Sequence, residues 1–167
     1  MTNGFIKIGP CARLAIGVGL VFGLITSTKA VEKGSAMTMH AEGTFDVKLT
    51  PQLPEDKSEG LTLGRMLIDK QFQGDLEAVS KGQMLTGMTA VQGSGAYVAI
   101  ERVTGTLNGH QGSFILHHLG IMLRGAPQLT VTVVPDSGTG ELVGIAGTMT
   151  IIIADGKHSY DFAYTLP

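Results

Sequence analysis

After Ser35, no segment repeats apolar residues at helical spacing for more than two turns; apolar and polar positions alternate instead, in runs broken by glycine-containing turns. Phe45, Val47 and Leu49 alternate with Thr44, Asp46 and Lys48, which predicts a half-buried strand over 39–49 that stops at Pro51. The segment 51–60 (PQLPEDKSEG) is polar, holds Pro51 and Pro54, and is predicted to be the one long loop. Seven further strands are predicted over 63–72, 75–86, 95–106, 111–123, 128–134, 142–153 and 157–165.

The turns decide how these strands are arranged. Asn108-Gly109 and Asp155-Gly156 supply the two consecutive positive φ angles of a two-residue hairpin, and Gln73-Gly74 is a weaker version. Residues 124–127 and 135–140 make longer turns. Short links make successive strands antiparallel neighbours. A meander of eight such strands leaves two open edges unless it closes on itself. The predicted fold is therefore all-β, a closed eight-stranded antiparallel meander barrel, with a two-sheet β-sandwich as the alternative.

Each tight turn also sets a register. The Asp155-Gly156 turn places Ile153 opposite His158, Ile151 opposite Tyr160 and Met149 opposite Phe162, so His158 and Tyr160 point into the barrel. The Asn108-Gly109 turn pairs Val103 with Phe114, Glu101 with Leu116 and Ala99 with His118, with Tyr97 across from Gly120. The reverse face of that hairpin sets Arg102, Ile100 and Val98 against Ile115, His117 and Leu119. Both faces are partly apolar, and the expected cover for the outer one is a second copy of the chain, a homo-oligomer.

Composition narrows the setting. The chain has 167 residues, about one domain, and its 43% hydrophobic and 16% charged content excludes disorder over most of its length. One cysteine and no tryptophan leave neither a disulfide framework nor a zinc cluster. Lys7 and Arg13 precede an apolar run, Leu14 to Ile25, which Thr26, Ser27, Thr28, Lys29 and Ala30 follow, and no acid occurs before Glu32. This is the layout of a secretory signal peptide over 1–30, cut after Ala30, with a disordered linker at 31–37 and one barrel domain at 38–167. Export to the periplasm or medium is expected; a start at Met37 or Met39 would instead leave a cytoplasmic protein. Losing Lys7, Arg13 and Lys29 from 12 basic residues leaves nine against 14 acidic, a charge of −5 over 31–167, so neither nucleic acid nor, after signal removal, a membrane is an expected partner. Cys11 departs too, which removes cysteine catalysis.

Four stretches carry a resemblance: GDLEAVSKGQML (74–85), YVAIERVTGTLNG (97–109), LTVTVVPDSGTGELVGIAGTMTI (129–151) and DGKHSYDFAYTL (155–166). Over residues 37–167 the chain resembles a bacterial family of unknown function whose members are similar in fold to allene oxide cyclase, a closed eight-stranded barrel. The resemblance implies that fold and no established activity. Members begin near the position of Met37, so the N-terminal extension departs from their pattern. Nothing here matches the plant cyclase's active-site motif, and no catalytic residue is transferred from it.

Chemistry-bearing side chains are few. His117 and His118 are adjacent on a strand, point to opposite faces and cannot chelate one ion; no metal or cofactor is expected. Gly138-Thr139-Gly140 is a hairpin turn without the helix or lysine of a phosphate loop. Glu101 stands on a strand face shared with Tyr97, Ala99 and Val103, with His118 as its diagonal neighbour. One reading makes these an acid–base pair in a pocket. The plainer reading, preferred on the residues alone, puts Glu101 outside against a Lys or Arg, with His118 a satisfied core histidine. Lys70 and Glu77 are expected to face each other, exposed, across the Gln73-Gly74 turn. The pocket candidates are Tyr97, Glu101, His118, His158 and Tyr160. The leading functional expectation is a barrel that binds a small, mainly apolar molecule; the alternatives are a cofactor-free isomerase or cyclase, and a structural homo-oligomer without ligand.

Overall fold

A computed structural model describes residues 37–167. The signal peptide expected at 1–30, and all of the 31–37 linker but its last residue, lie outside the described residues. Nine strands follow in order: β1 (Met39–Ser58), β2 (Leu61–Gly74), β3 (Leu76–Met88), β4 (Gly95–Leu107), β5 (His110–Leu123), β6 (Ala126–Val133), the two-residue β7 (Thr139–Gly140), β8 (Ala146–Ala154) and β9 (Lys157–Thr165). Each pairs antiparallel with its neighbour from β1 through β6, then β6 with β8, β8 with β9, and β9 back to β1. Those eight close the barrel, and β7 pairs only with β5, outside the ring. The predicted closed barrel thus holds over the alternative sandwich, as expected for a meander that must hide two edges.

The hairpin registers read from Asn108-Gly109 and Asp155-Gly156 are the observed ones, and both residues of each pair have positive φ. Two expectations need correction. Residues 51–58 are not a loop: β1 continues through them, paired with β2, and turns only at Glu59-Gly60, where φ is 50° and 77°. The ladder breaks register between Gln52 and Asp56, and a bulge there takes up the extra chain length. Strand β9 leaves β1 after Phe45, so this part of β1 has one open edge, where a proline need not break a ladder. The strand expected at 142–153 starts at Ala146, because 134–145 is a connecting loop.

That loop helps close one end of the barrel. Leu142 and Ile145 are buried, and beside them Phe114, Phe162 and Tyr164 stack in sequence with ring centroids 5.6 and 5.3 Å apart. Phe45, Phe72 and Tyr160 fill the middle, edge to face or tilted. Towards the other end the inward side chains thin to a small cluster, Ile68, Met84 and Ala99, edged by Val47, Met66 and Tyr97. The barrel is solid at one end and hollow at the other.

Candidate functional site

The hollow end forms an open cavity of about 250 Å³. Phe45, Val47, Leu49, Ile68, Met84, Leu129, Ile151 and Ile153 form its apolar wall, and Lys70, Tyr97, His118 and His158 are its polar members. The period of two explains the selection. Ile68, Lys70 and Phe72 of β2, Ala78, Ser80 and Met84 of β3, and Ala99, Glu101 and Val103 of β4 all point inward, and so do Leu116 and His118 of β5.

Between cavity and solid core these strands bring four polar side chains together. Glu101 is fully buried. Lys70 Nζ donates to its Oε1 at 2.7 Å, and Ser80 Oγ donates to its Oε2 at 2.8 Å. His118 Nε2 lies 2.9 Å from Oε1, and since an ionised carboxylate has no proton to give, Nε2 is the donor. Lys70 Nζ also sits 5.0 and 5.6 Å from the ring centres of Phe45 and Phe72, which favours its charge in an otherwise apolar place. Burial pushes the Glu101 carboxyl upward, but the His118 hydrogen bond and the Lys70 charge outweigh it and hold the group down at about 2. Tyr97, half-buried, is raised by burial and by the Glu101 charge.

Backbone room makes the cluster fit. Lys70 pairs with Ser80 in the β2–β3 ladder, and Gly82 pairs with Glu101 in the β3–β4 ladder. A Cβ on Gly82 would lie 2.6 Å from the Cβ of Glu101, so only glycine lets the two strands approach there. Tyr97 lies across Gly120 in the same manner, its ring occupying the space a Gly120 side chain would need.

The five residues singled out from the sequence therefore divide. Tyr97, His118 and His158 line the cavity, and His158 packs its ring 5.1 Å from Phe45. Glu101 is inside the barrel and not on the exterior, which corrects the plainer reading on that residue, while His118 is the buried, hydrogen-bonded histidine that reading expected; Glu101 stands behind Lys70 and His118 and supports them. Its partner is indeed a lysine, and that lysine is inside as well. Tyr160 points inward but away from the cavity: its hydroxyl accepts from Leu76 N at 2.9 Å and donates to Gln73 O at 3.2 Å, clamping the β2–β3 link. Burial raises it further from ionisation, as its largest influence.

Lys70 and Ser80 were missed. Lys70 does not face Glu77; it pairs with Ser80 because the β2–β3 link is centred on Asp75, and Glu77 pairs with Thr106 of β4. The usable signal was the run Ile68-x-Lys70-x-Phe72, in which a lysine occupies the apolar side of an alternating strand. Among the described residues, no three of His, Cys, Asp and Glu converge as metal ligands.

The sequence of residues 41–164 matches the model of a family described as protein of unknown function, DUF3224. The chain belongs to this family. A crystal structure of a DUF3224 protein of unknown function from Shewanella oneidensis MR-1 is 52% identical, covers 78% of this chain and 99% of its own, and superposes with a TM-score of 0.75. No curated protein matches the chain. The DUF3224 barrel thus comes with a fold and a family, and its chemistry has to be argued from the hollow end.

Proposed function

We propose that this protein binds a small, mainly apolar molecule in the hollow end of its barrel. The observation that carries the reading is the cavity itself, about 250 Å³ with an apolar wall and a polar floor at Lys70 and His118. Eight-stranded barrels have an interior just wide enough for side chains or one small ligand, and here the side chains stop short of one end. The resemblance in fold to allene oxide cyclase, drawn from the four sequence stretches quoted above, suggests such a use of the interior by analogy alone. The acid–base alternative has less to work with. A carboxylate held at about 2 is a weak proton acceptor at neutral pH, so Glu101 suits support better than proton abstraction.

Thermal-shift and native mass-spectrometric screening of apolar molecules tests the reading. At least one compound is expected to raise the melting temperature and to remain bound at one per chain. Absence of any shift across lipid-like and aromatic compounds contradicts it. We propose further that the protein is exported, the segment 1–30 being removed; an N-terminal mass beginning at Val31 in protein from the native host is the expected result, and one that retains Met1 refutes it.

A further inference from the structure

We propose that the molecule held in the hollow end is a carboxylic acid with a short apolar tail, and that each molecule bound from neutral solution brings one proton with it. The inference rests on the binding reading above and names the ligand class. All four polar side chains on the cavity, Lys70, Tyr97, His118 and His158, can donate a hydrogen bond, and no carboxylate lines it. An acceptor-bearing head group therefore meets several donors there, whereas an ammonium meets no carboxylate to neutralise it.

Charge balance then sets the proton count. The Lys70 ammonium is already matched by the Glu101 carboxylate, so that pair leaves no charge to neutralise a bound anion. An unneutralised carboxylate seated against this largely apolar wall is penalised. The groups facing His118 are Glu101 and Tyr97 of β4, Lys70 of β2 and His158 of β9; Ser80 of β3 is uncharged, and β6 and β8 contribute Leu129, Ile151 and Ile153. The Nδ1 atom of His118 has no hydrogen-bond partner among the described residues. Since no buried side-chain nitrogen or oxygen there lacks one, Nδ1 opens onto the cavity. A carboxylate against Nδ1 shares a proton with it, and the pair is neutral whichever atom holds that proton. Lys70 Nζ uses one hydrogen on Glu101 and has another to offer the second carboxylate oxygen. For size, a cavity of about 150 Å³ holds one benzene, so about 250 Å³ suits a ring with a short arm or an alkyl chain of similar bulk.

Isothermal titration of the protein with octanoate, octanol and octylamine, in two buffers of different ionisation enthalpy at neutral pH, tests this. Octanoate is expected to bind with uptake of about one proton, octanol to bind more weakly, and octylamine not to bind. His118→Gln keeps a donor for Glu101 but removes the proton acceptor. It should abolish proton uptake and weaken octanoate by about tenfold or more, the scale of one charge-assisted hydrogen bond, and weaken octanol by clearly less. Should that variant fail to fold, Lys70→Met/Glu101→Gln replaces the ion pair by neutral groups and is expected to retain proton uptake through His118; loss of uptake there overturns the assignment. Octanoate binding without a proton overturns the proton coupling; octanol binding as tightly as octanoate overturns the carboxylic acid and leaves the cavity as a binding site. Failure of all three to bind overturns the acid and counts against the cavity as well.

Discussion

Glu101 has no exposed surface and stays ionised because three donors from three other strands converge on its two oxygens. The same convergence makes each partner dependent on the rest. Removing one side of a buried ion pair leaves an uncompensated charge, so Glu101→Gln should destabilise the fold by roughly 3–5 kcal/mol. Lys70→Met/Glu101→Gln, which removes both charges, should recover most of that loss; additive losses in chemical denaturation would show that the two groups are uncoupled. Acid should have a matching effect. The folded carboxyl lies at about 2 against an ordinary 4.5, so its contribution is complete above about pH 4.5 and is lost as the pH falls toward 2. The shift corresponds to about 3 kcal/mol at about 1.4 per pKa unit. In Glu101→Gln, stability should fall less steeply over that interval than in the wild type, and an identical acid profile would contradict the account. Part of this was legible from residues alone. Asn108-Gly109 sets the β4–β5 register, and with it the neighbourhood of Glu101 and His118. Lys70 was not legible, because its contact with Glu101 skips a strand and depends on the β2–β3 link, whose centre no Asn-Gly or Asp-Gly pair marks.

At the scale of elements, the β2–β3 link is held from two strands away, over Gly43 of β1. Tyr160 of β9 accepts from the Leu76 amide and donates to Gln73 O, taking the place that a tight two-residue turn would have filled. Tyr160→Phe strands that buried amide and should cost about 1–3 kcal/mol in thermal or chemical unfolding. Ligand affinity should not change, since Tyr160 does not reach the cavity; a change in affinity with unchanged stability would reverse its assignment. The β1–β2 hairpin shows the limit of reading prolines as stops. Pro51 and the charged run after it carry every local mark of a loop, yet β2 supplies a partner as far as Ser58 and a bulge absorbs the misfit. Partner supply is a tertiary matter that local composition does not record. Gly82→Ala tests a different kind of constraint. Its Cβ would press on Glu101, so it should destabilise the protein by about 1–3 kcal/mol and disturb the His118 ring resonances in NMR; a neutral effect on both would show that the strands have room to part.

For the molecule as a whole, eight strands leave space to be filled or left empty, and this chain does both. Aromatic side chains and the 134–145 loop make one end solid, and the buried ion pair marks where the packing stops. The outer wall has its own apolar surface: Leu85, Val98, Ile100 and Leu119 are 43–57% exposed along β3, β4 and β5. We propose that the chain self-associates through that wall, since an apolar surface of this kind is covered most simply by a second copy. Light scattering of the purified protein at micromolar concentration should return more than one chain, and a clean monomer would refute it. Closure of the sheet was legible from the count of strands and the shortness of their links. The hollow end was not, because it depends on where large and small side chains fall around the circumference. The central claim, that this end is a ligand chamber, is most directly tested by side-chain NMR of the protein titrated with octanoate. Shifts confined to Ile68, Met84, Ile151 and His118 are expected; shifts on Leu85, Val98 and Ile100 of the outer wall, or none at saturating ligand, would contradict it.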